Sequence, residues 1–265
     1  MKRRSFVKAS LLTGAIPAVA QSAFASSTSA QKASREYYEL RVYTLKDATQ
    51  QQMVEDYYQR AAIPAYNRIG IKNVGVFTEL KPEGQTKLYV IIPYQSIEDL
   101  SSGKSKMMND KGYMEAANAY LNAPATAPAY DRIESSLLYA FSGMPAMAFP
   151  TAGKPRIFEL RRYESPSEAA GLKKIEMFNT GGEMEIFKKT GLRAVFFGQS
   201  LIGSNQPNLT YMLTFDDMAN HDKAWGTFGS SPEWNKLKSI PDYADAKLIS
   251  KITAIFIQPT SYSQI

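Results

Sequence analysis

The sequence predicts an α+β protein built from two tandem ferredoxin-like units. The first observation is that YYELRVY at 37–43 is nearly repeated as IFELRRY at 157–163, 120 residues further along the chain. The second is that later segments of the two halves align at almost the same offset. The third is that each half shows the element order β-α-β-β-α-β, which is the order of a ferredoxin-like unit.

Three further pairs of segments support the duplication. They are IGIKNVGVF (69–77) with TGLRAVFFG (190–198), TKLYVIIPY (86–94) with PNLTYMLTF (207–215), and KGYMEAAN (111–118) with PEWNKLKS (232–239). The offset stays at 120 or 121 throughout. A constant offset over separated segments indicates an internal repeat.

The repeated strand opens each half, and apolar residues at helical spacing predict a helix after it. Pro64 and the glycines at 181–182 are expected to kink or break the later part of these helices. Gly70 and Gly191 are expected to end them, because glycine readily adopts the left-handed conformation of a helix C-terminus.

Two strands follow in each half, joined by segments rich in turn-forming residues at 81–84 and 203–207. A helical region and a closing strand complete each unit. They span 97–121 and 135–142 in the first half, and 217–239 and 250–258 in the second.

These patterns divide the chain into five parts. They are a signal peptide (1–25), a polar linker (26–35), the first unit (36–142), a connector (143–155) and the second unit (156–260).

Composition excludes several classes of function. Of the 265 residues, 44% are hydrophobic and 21% charged, as in ordinary soluble proteins. The net charge of +6 falls to +2 without Lys2, Arg3, Arg4 and Lys8, so no basic surface for nucleic acid is expected. The absence of cysteine excludes disulfides, thiolate metal sites and a cysteine nucleophile.

The first 25 residues resemble an export signal. KRRSFVK at 2–8 is similar to a twin-arginine motif, and AFA at 23–25 is a typical cleavage site. The apolar stretch between them is interrupted by Gly14 and Pro17, which makes it a poor membrane span. We therefore expect a bacterial protein that meets the twin-arginine export machinery and is periplasmic or secreted after cleavage near Ala25. An ordinary secretory signal is the alternative.

The second half resembles the NIPSNAP family in several motifs that occur in the family's order. They are FELRRY (158–163), MFNTGGEMEIFKKTGLRAVFFGQSLIG (177–203), NLTYMLTFDD (208–217), AW (224–225) and PEW (232–234). The first half matches through YELRVYTL, Pro64 and Gly70, but it lacks GGE. The resemblance implies the dimeric α/β barrel superfamily, in which two ferredoxin-like sheets pack face to face. Because both units lie in one chain, we expect that arrangement within the chain.

Side chains alternate along a strand, so an acid, a base and a phenol share one face of each repeated strand. These candidate ligand-binding residues are Glu39, Arg41 and Tyr43 in the first strand, and Glu159, Arg161 and Tyr163 in the second.

The opposite face carries Tyr38, Leu40, Phe158 and Leu160, which we expect to pack beneath the helices. The Glu–Arg face then lines the interior if the sheets close on each other. There it would hold structural ion pairs or a ligand. If the sheets do not close, the pairs are exposed and contribute little.

Three further ligand-binding candidates lie in the second half. Glu183 follows two glycines inside a helical stretch. The glycines indicate either a close helix–sheet contact or a helix break, or else a cleft where the backbone approaches a ligand. Trp225 and Trp234 belong to an aromatic cluster that indicates core packing or a pocket wall. His221, the only histidine, is expected at the surface rather than on haem, and we expect neither a metal nor a cofactor.

Two functions of different classes remain open. One is an exported binding or assembly module for a small apolar molecule or a protein partner, which we expect to be a homo-oligomer. The other is a cofactor-independent enzyme with oxygenase- or isomerase-like acid/base chemistry on a small aromatic or apolar substrate in the barrel interior. Binding is favoured because no acid/base pair stands out. An enclosed cavity around Glu159 and Arg161 would favour the enzyme.

Overall fold

The computed structural model describes residues 34–150 and 156–265. The predicted signal peptide, most of the predicted linker and the end of the connector lie outside these ranges.

The first half has the predicted β-α-β-β-α-β order, with its helical regions divided into shorter helices. Its elements are β1 (Tyr37–Leu45), α1 (Ala48–Asp56), a π-helical stretch (Tyr57–Ala62), α2 (Ile63–Arg68), β2 (Gly75–Glu79), β3 (Thr86–Tyr94), α3 (Ile97–Met108), α4 (Lys111–Ala116), α5 (Asn118–Leu121) and β4 (Arg132–Ala140).

The second half repeats this order. Its elements are β5 (Ile157–Glu164), α6 (Glu168–Asn179), α7 (Glu183–Thr190), β6 (Arg193–Ile202), β7 (Asn208–Phe215), α8 (Met218–Ser230), α9 (Pro232–Lys238), a 3₁₀ turn (Pro241–Tyr243), α10 (Asp245–Leu248) and β8 (Lys251–Pro259).

Local sequence signals set the helix ends. Asp47 caps α1 by accepting hydrogen bonds from the backbone N–H groups of Thr49 and Gln50, and Ser167 caps α6 in the same way. Gly70 and Gly191 follow the next helices with φ of 89° and 87°. The predicted helix stops are therefore confirmed.

The predicted interruptions of the first helices take different forms in the two halves. Before Pro64 the backbone passes through the π-helical stretch and stays helical. In the second half, α6 and α7 are separated at the two glycines, and Gly182 has a φ of 96°. A side chain at Gly181 would come within 2.5 Å of the Met177 carbonyl oxygen. The glycine pair is thus explained by a helix break.

Eight strands of the described residues close into one antiparallel barrel in the order β1-β3-β2-β8-β5-β7-β6-β4. Strand β2 pairs with β8, and β4 pairs with β6, so each half contributes one edge strand to each seam. Closure removes the free sheet edges that two separate units would expose. The expected barrel within one chain is confirmed.

Apolar side chains from both halves fill the barrel interior. This interior cluster contains no helix residue and consists of Tyr38, Phe77, Tyr89, Ile91, Leu138, Ala140, Phe158, Leu160, Val195, Phe196, Met212, Ile257 and Ile265. The rings of Phe77 and Phe158, one from each half, meet edge to face with centroids 5.0 Å apart.

The expected orientation of the repeated strands was therefore wrong. Tyr38, Phe158 and Leu160 face the interior, while Tyr43 and Tyr163 belong to cores that include helix residues of one half. The Glu–Arg face consequently lies under the helices, outside the barrel. The physical reason is that a charged pair needs polar partners when it leaves water, and the outer face supplies them through Tyr94 and Ser135 for Glu39 and through Trp225 for Glu159.

We predict that Phe77 and Phe158 couple the stability of the two halves. Each substitution to Ala should lower the free energy of unfolding by about 3–5 kcal/mol, as for other buried phenylalanines. The loss in the double variant should be smaller than the sum of the two single losses by at least about 0.5 kcal/mol, because each single substitution already removes the contact between the two rings. Denaturant unfolding of the four proteins measures this coupling.

Phe77 with Phe187 is the matched control, because Phe187 is equally buried but belongs to the outer core of the second half. The losses of unfolding free energy for Phe77→Ala and Phe187→Ala should add. Additive losses for Phe77→Ala and Phe158→Ala would contradict an interior shared by the two halves.

Candidate functional site

A bidentate ion pair lies on the outer face of the first repeated strand. Arg41 Nε donates to Glu39 Oε1 at 2.6 Å, and Arg41 Nη2 donates to Glu39 Oε2 at 3.0 Å. Tyr94 on the neighbouring strand β3 also donates to Glu39 Oε2, at 3.1 Å. The sheet thus fixes the carboxylate from two strands.

The equivalent pair in the second half is buried more completely. Arg161 Nη1 donates to Glu159 Oε1 at 2.6 Å, and Arg161 Nη2 donates to the Tyr163 hydroxyl at 3.2 Å. The Glu159 side chain is 1% exposed, whereas that of Glu39 is 15% exposed. The two copies of the motif therefore differ in access to solvent.

One position on the covering helix explains this difference. Ser96 caps α3 and Asp217 caps α8, each by accepting from the backbone N–H three residues later, which aligns the helices at an offset of 121. Trp225 on α8 then corresponds to Lys104 on α3. Trp225 Nε1 donates to Glu159 Oε2 at 2.8 Å, and its ring lies 4.6 Å from the Arg161 guanidinium carbon. Trp225 therefore covers the second pair, while Lys104 is exposed.

A cleft of about 380 Å³ consequently opens over the first pair. Glu39 and Arg41 form part of its wall on the sheet side, and Lys104 also lines it. The remaining wall is rich in phenol rings, contributed by Tyr57, Tyr66, Tyr113, Tyr120 and Tyr130. We call this the first-half cleft.

The tyrosines around the first-half cleft are tied together by their hydroxyl groups. Tyr57 and Tyr113 share a hydrogen bond of 3.0 Å, and Tyr43 is linked to Tyr58 at 2.9 Å and to Tyr120 at 3.0 Å. The rings of Tyr57 and Tyr120 stack with centroids 3.8 Å apart. The wall is therefore a connected aromatic structure with polar groups.

Burial raises the pKa of Tyr57, Tyr58, Tyr66 and Tyr120 above the ordinary tyrosine value. These side chains are consequently neutral phenols at neutral pH. They can donate and accept hydrogen bonds in the first-half cleft, but they do not supply a phenolate base.

At five positions the second half carries methionine, phenylalanine or tryptophan where the first half carries a phenol. The two halves can be aligned by their helix-capping residues, strand register and helix ends. The equivalent positions are Tyr57 and Met177, Tyr58 and Phe178, Tyr66 and Phe187, Tyr94 and Phe215, and Tyr113 and Trp234. Packing alone is therefore satisfied without these hydroxyls in one half. The π-helical stretch, a feature frequent at functional sites, begins at Tyr57.

Glu183 and Trp234 are not part of this cleft. Glu183 is 2% exposed, and it accepts a hydrogen bond of 3.1 Å from Lys174 Nζ, which is equally buried. Burial raises the pKa of Glu183, and Lys174 opposes that shift. Trp234 packs on Phe228 with ring centroids 4.5 Å apart. The structure thus gives both residues a role in packing the second half.

The expected surface position of His221 was wrong. Its side chain is 13% exposed and lies between the rings of Phe215 and Phe256. His221 Nε2 is 3.4 Å from Glu159 Oε2, so it helps to cover the second pair. The polar neighbours of His221 in the sequence favoured an exposed position. The helical spacing on α8 instead places His221 on the same inward face as Trp225.

Among residues 34–150 and 156–265, no group of three or more His, Asp or Glu side chains is placed to hold a metal ion. Within the same ranges, no helix is sufficiently long and apolar to cross a bilayer.

The fold is shared with solved structures that differ widely in sequence. Two of them, each described as a "putative monooxygenase", come from Lactobacillus acidophilus and Fusobacterium nucleatum. Their TM-scores are 0.56 and 0.55, with 9% and 8% identity. Both alignments cover 85% of this chain, and 94% and 93% of the respective solved chains. At such identities the likeness concerns the fold alone.

A NIPSNAP family protein of unknown function from Agrobacterium tumefaciens is 20% identical. Its alignment covers 40% of this chain and 88% of that chain, with a TM-score of 0.34. No curated protein is significantly similar in sequence. The NIPSNAP family pattern itself matches twice, over residues 38–143 and 158–264. With both halves matched, the chain belongs to the NIPSNAP family.

Proposed function

We propose that the protein is a binding module for a small, flat apolar or aromatic molecule, which it holds in the first-half cleft. The observation that carries this proposal is the contrast between the two Glu–Arg pairs. One is covered by the chain's own Trp225, and the other faces a cleft.

The second half serves as an internal template for a bound ring. Trp225 shows that an aromatic ring can lie over the guanidinium of this motif, a favourable cation–π arrangement. In the first half the equivalent residue is the exposed Lys104, so no ring among the described residues takes the position that Trp225 takes in the second half. The volume of about 380 Å³ is within the range of small-molecule sites, which are about 300–1,000 Å³.

Binding is favoured over the cofactor-independent enzyme. The substrate site expected in the barrel interior is occupied by the interior cluster. In the first-half cleft, both oxygens of Glu39 already accept hydrogen bonds from Arg41. The buried tyrosines around it are neutral phenols, so the cleft offers aromatic walls and donors rather than a poised base.

We predict that Lys104→Trp blocks binding in the first-half cleft, because it recreates the cover of the second half. Indole is a suitable probe, since it is the ring that Trp225 places over Arg161. Saturation-transfer NMR should detect indole on the wild-type protein. Lys104→Trp should weaken the interaction at least about tenfold, which corresponds to a loss of about 1.4 kcal/mol.

Lys106→Trp is the matched control, because Lys106 is exposed on the same helix and outside the cleft lining. It should bind indole as the wild type does. Equal binding by Lys104→Trp and the wild type would contradict the proposed location. Failure of the wild type to bind indole or its 3-carboxylate and 3-carboxamide derivatives, together with native mass spectra of the purified protein free of any small molecule, would contradict the proposed function.

We also propose that the protein is exported through the twin-arginine route, on the strength of KRRSFVK at 2–8 and AFA at 23–25. Replacing Arg3 and Arg4 together by Lys should leave the uncleaved precursor in the cytoplasm, because that route requires the arginine pair. Cell fractionation with immunoblotting measures this. Normal export of the double variant would instead indicate an ordinary secretory signal.

A further inference from the structure

We infer that the ligand of the first-half cleft is a planar aromatic acid, bound as its carboxylate. This inference rests on the proposed function and adds the chemical class of the ligand. Three features of the cleft support it: a carboxylate with no acceptor capacity left, a guanidinium with donors to spare, and an additional cation.

Glu39 has no need of a donor from a ligand. Oε1 accepts from Arg41 Nε at 2.6 Å and from Ser135 Oγ at 3.4 Å. Oε2 accepts from Arg41 Nη2 at 3.0 Å and from Tyr94 at 3.1 Å. A carboxylate has about four acceptor sites, so the protein already occupies them. Glu39 therefore does not favour a ligand that donates a hydrogen bond, unlike Glu159, which accepts one from Trp225.

Arg41 has the opposite requirement. A guanidinium carries five N–H donors, and the described residues accept from two of them, both through Glu39. The Arg41 side chain is 24% exposed, and Arg41 lines the first-half cleft. Its unused donors are thus satisfied by oxygen acceptors that enter the cleft. A ligand carboxylate fits because a planar guanidinium binds it with charge-assisted hydrogen bonds.

Lys104 adds a positive charge without its own counterion. Among the described residues it makes no ion pair, whereas the charge of Arg41 is balanced by Glu39. The cleft wall therefore carries an excess of one positive charge. That excess favours an anion over a neutral ligand, and it is absent from the second half, where Trp225 takes the corresponding position.

The tyrosine-rich walls of the first-half cleft indicate that the ligand contains an aromatic ring. Tyr57 and Tyr120 stack at the cleft, and Tyr66, Tyr113 and Tyr130 complete its phenol surface. Rings favour such walls through stacked or edge-to-face contacts. The phenol hydroxyls that the second half lacks can also donate to a ligand oxygen. A flat ring with one carboxylate satisfies the walls and the cations at once.

Indole-3-carboxylate and indole-3-carboxamide test the inference, because they share a shape and differ in charge. Their dissociation constants are measured by calorimetry on the intact protein at low salt. The carboxylate should bind about tenfold more tightly than the amide, as expected for charge-assisted hydrogen bonds. Arg41→Met should abolish this preference, and Lys104→Met should reduce it by a factor of about three.

Lys106→Met is the control and should keep the full preference. If Arg41→Met does not fold, as shown by circular dichroism, Lys104→Met still decides the matter because that side chain is exposed. Equal binding of acid and amide, both blocked by Lys104→Trp, would overturn the ligand class and leave the cleft intact. Absence of binding by indole, the acid and the amide would overturn the proposed function itself.

Discussion

The structure depends on how a Glu–Arg pair is accommodated when it leaves water beneath a layer of helices. Transferring two charges from water is unfavourable unless they contact each other and their remaining groups find partners. The barrel interior cannot meet that requirement, because it is filled with apolar side chains. The pair therefore lies on the outer face, and the helices above it must provide either partners or access to solvent. This requirement fixes which face of each repeated strand turns inward.

The two halves meet the same requirement in different ways. In the second half, Trp225 donates to Glu159 and its ring covers Arg161, so the pair becomes part of the core. In the first half, Tyr94 and Ser135 satisfy the carboxylate, and the guanidinium keeps unused donors at the cleft. A duplication relaxes the need for both copies to serve the same purpose. The second copy is closed, and the first is open.

Much of the fold could be predicted from the sequence. The constant offset between halves identifies the repeat, while the glycine helix stops and the turn segments depend only on neighbouring residues, and the structure has them where expected. The orientation of the strands could not be predicted in the same way. Alternation shows that Glu39 and Arg41 share a face, but both faces of β1 contain large apolar or aromatic residues. Only tertiary packing decides between them, because apolar side chains fill the closed barrel and leave the charged pair outside it.

The candidate site was predicted in part. The repeated strand indicated that Glu39 could pair with Arg41 and Glu159 with Arg161, and the structure shows both ion pairs. A ligand-binding role for these residues stays a prediction. The correspondence of Lys104 with Trp225 was missed, although the offset of 121 that aligns the later segments already contains it. Contacts such as that between Lys174 and Glu183 cross a helix break, so no sequence periodicity reveals them.

The same motif is open in one half and closed in the other, so a ligand should occupy the first half alone. A crystal structure of the protein grown with indole-3-carboxylate would show which half holds it. We expect one ligand per chain in the first-half cleft, with its ring against the tyrosine wall and its carboxylate within hydrogen-bond distance of Arg41. Trp225 should remain in place over the second pair. A ligand bound in the barrel interior, or a first-half cleft closed by its own side chains with no ligand over Arg41, would contradict this account.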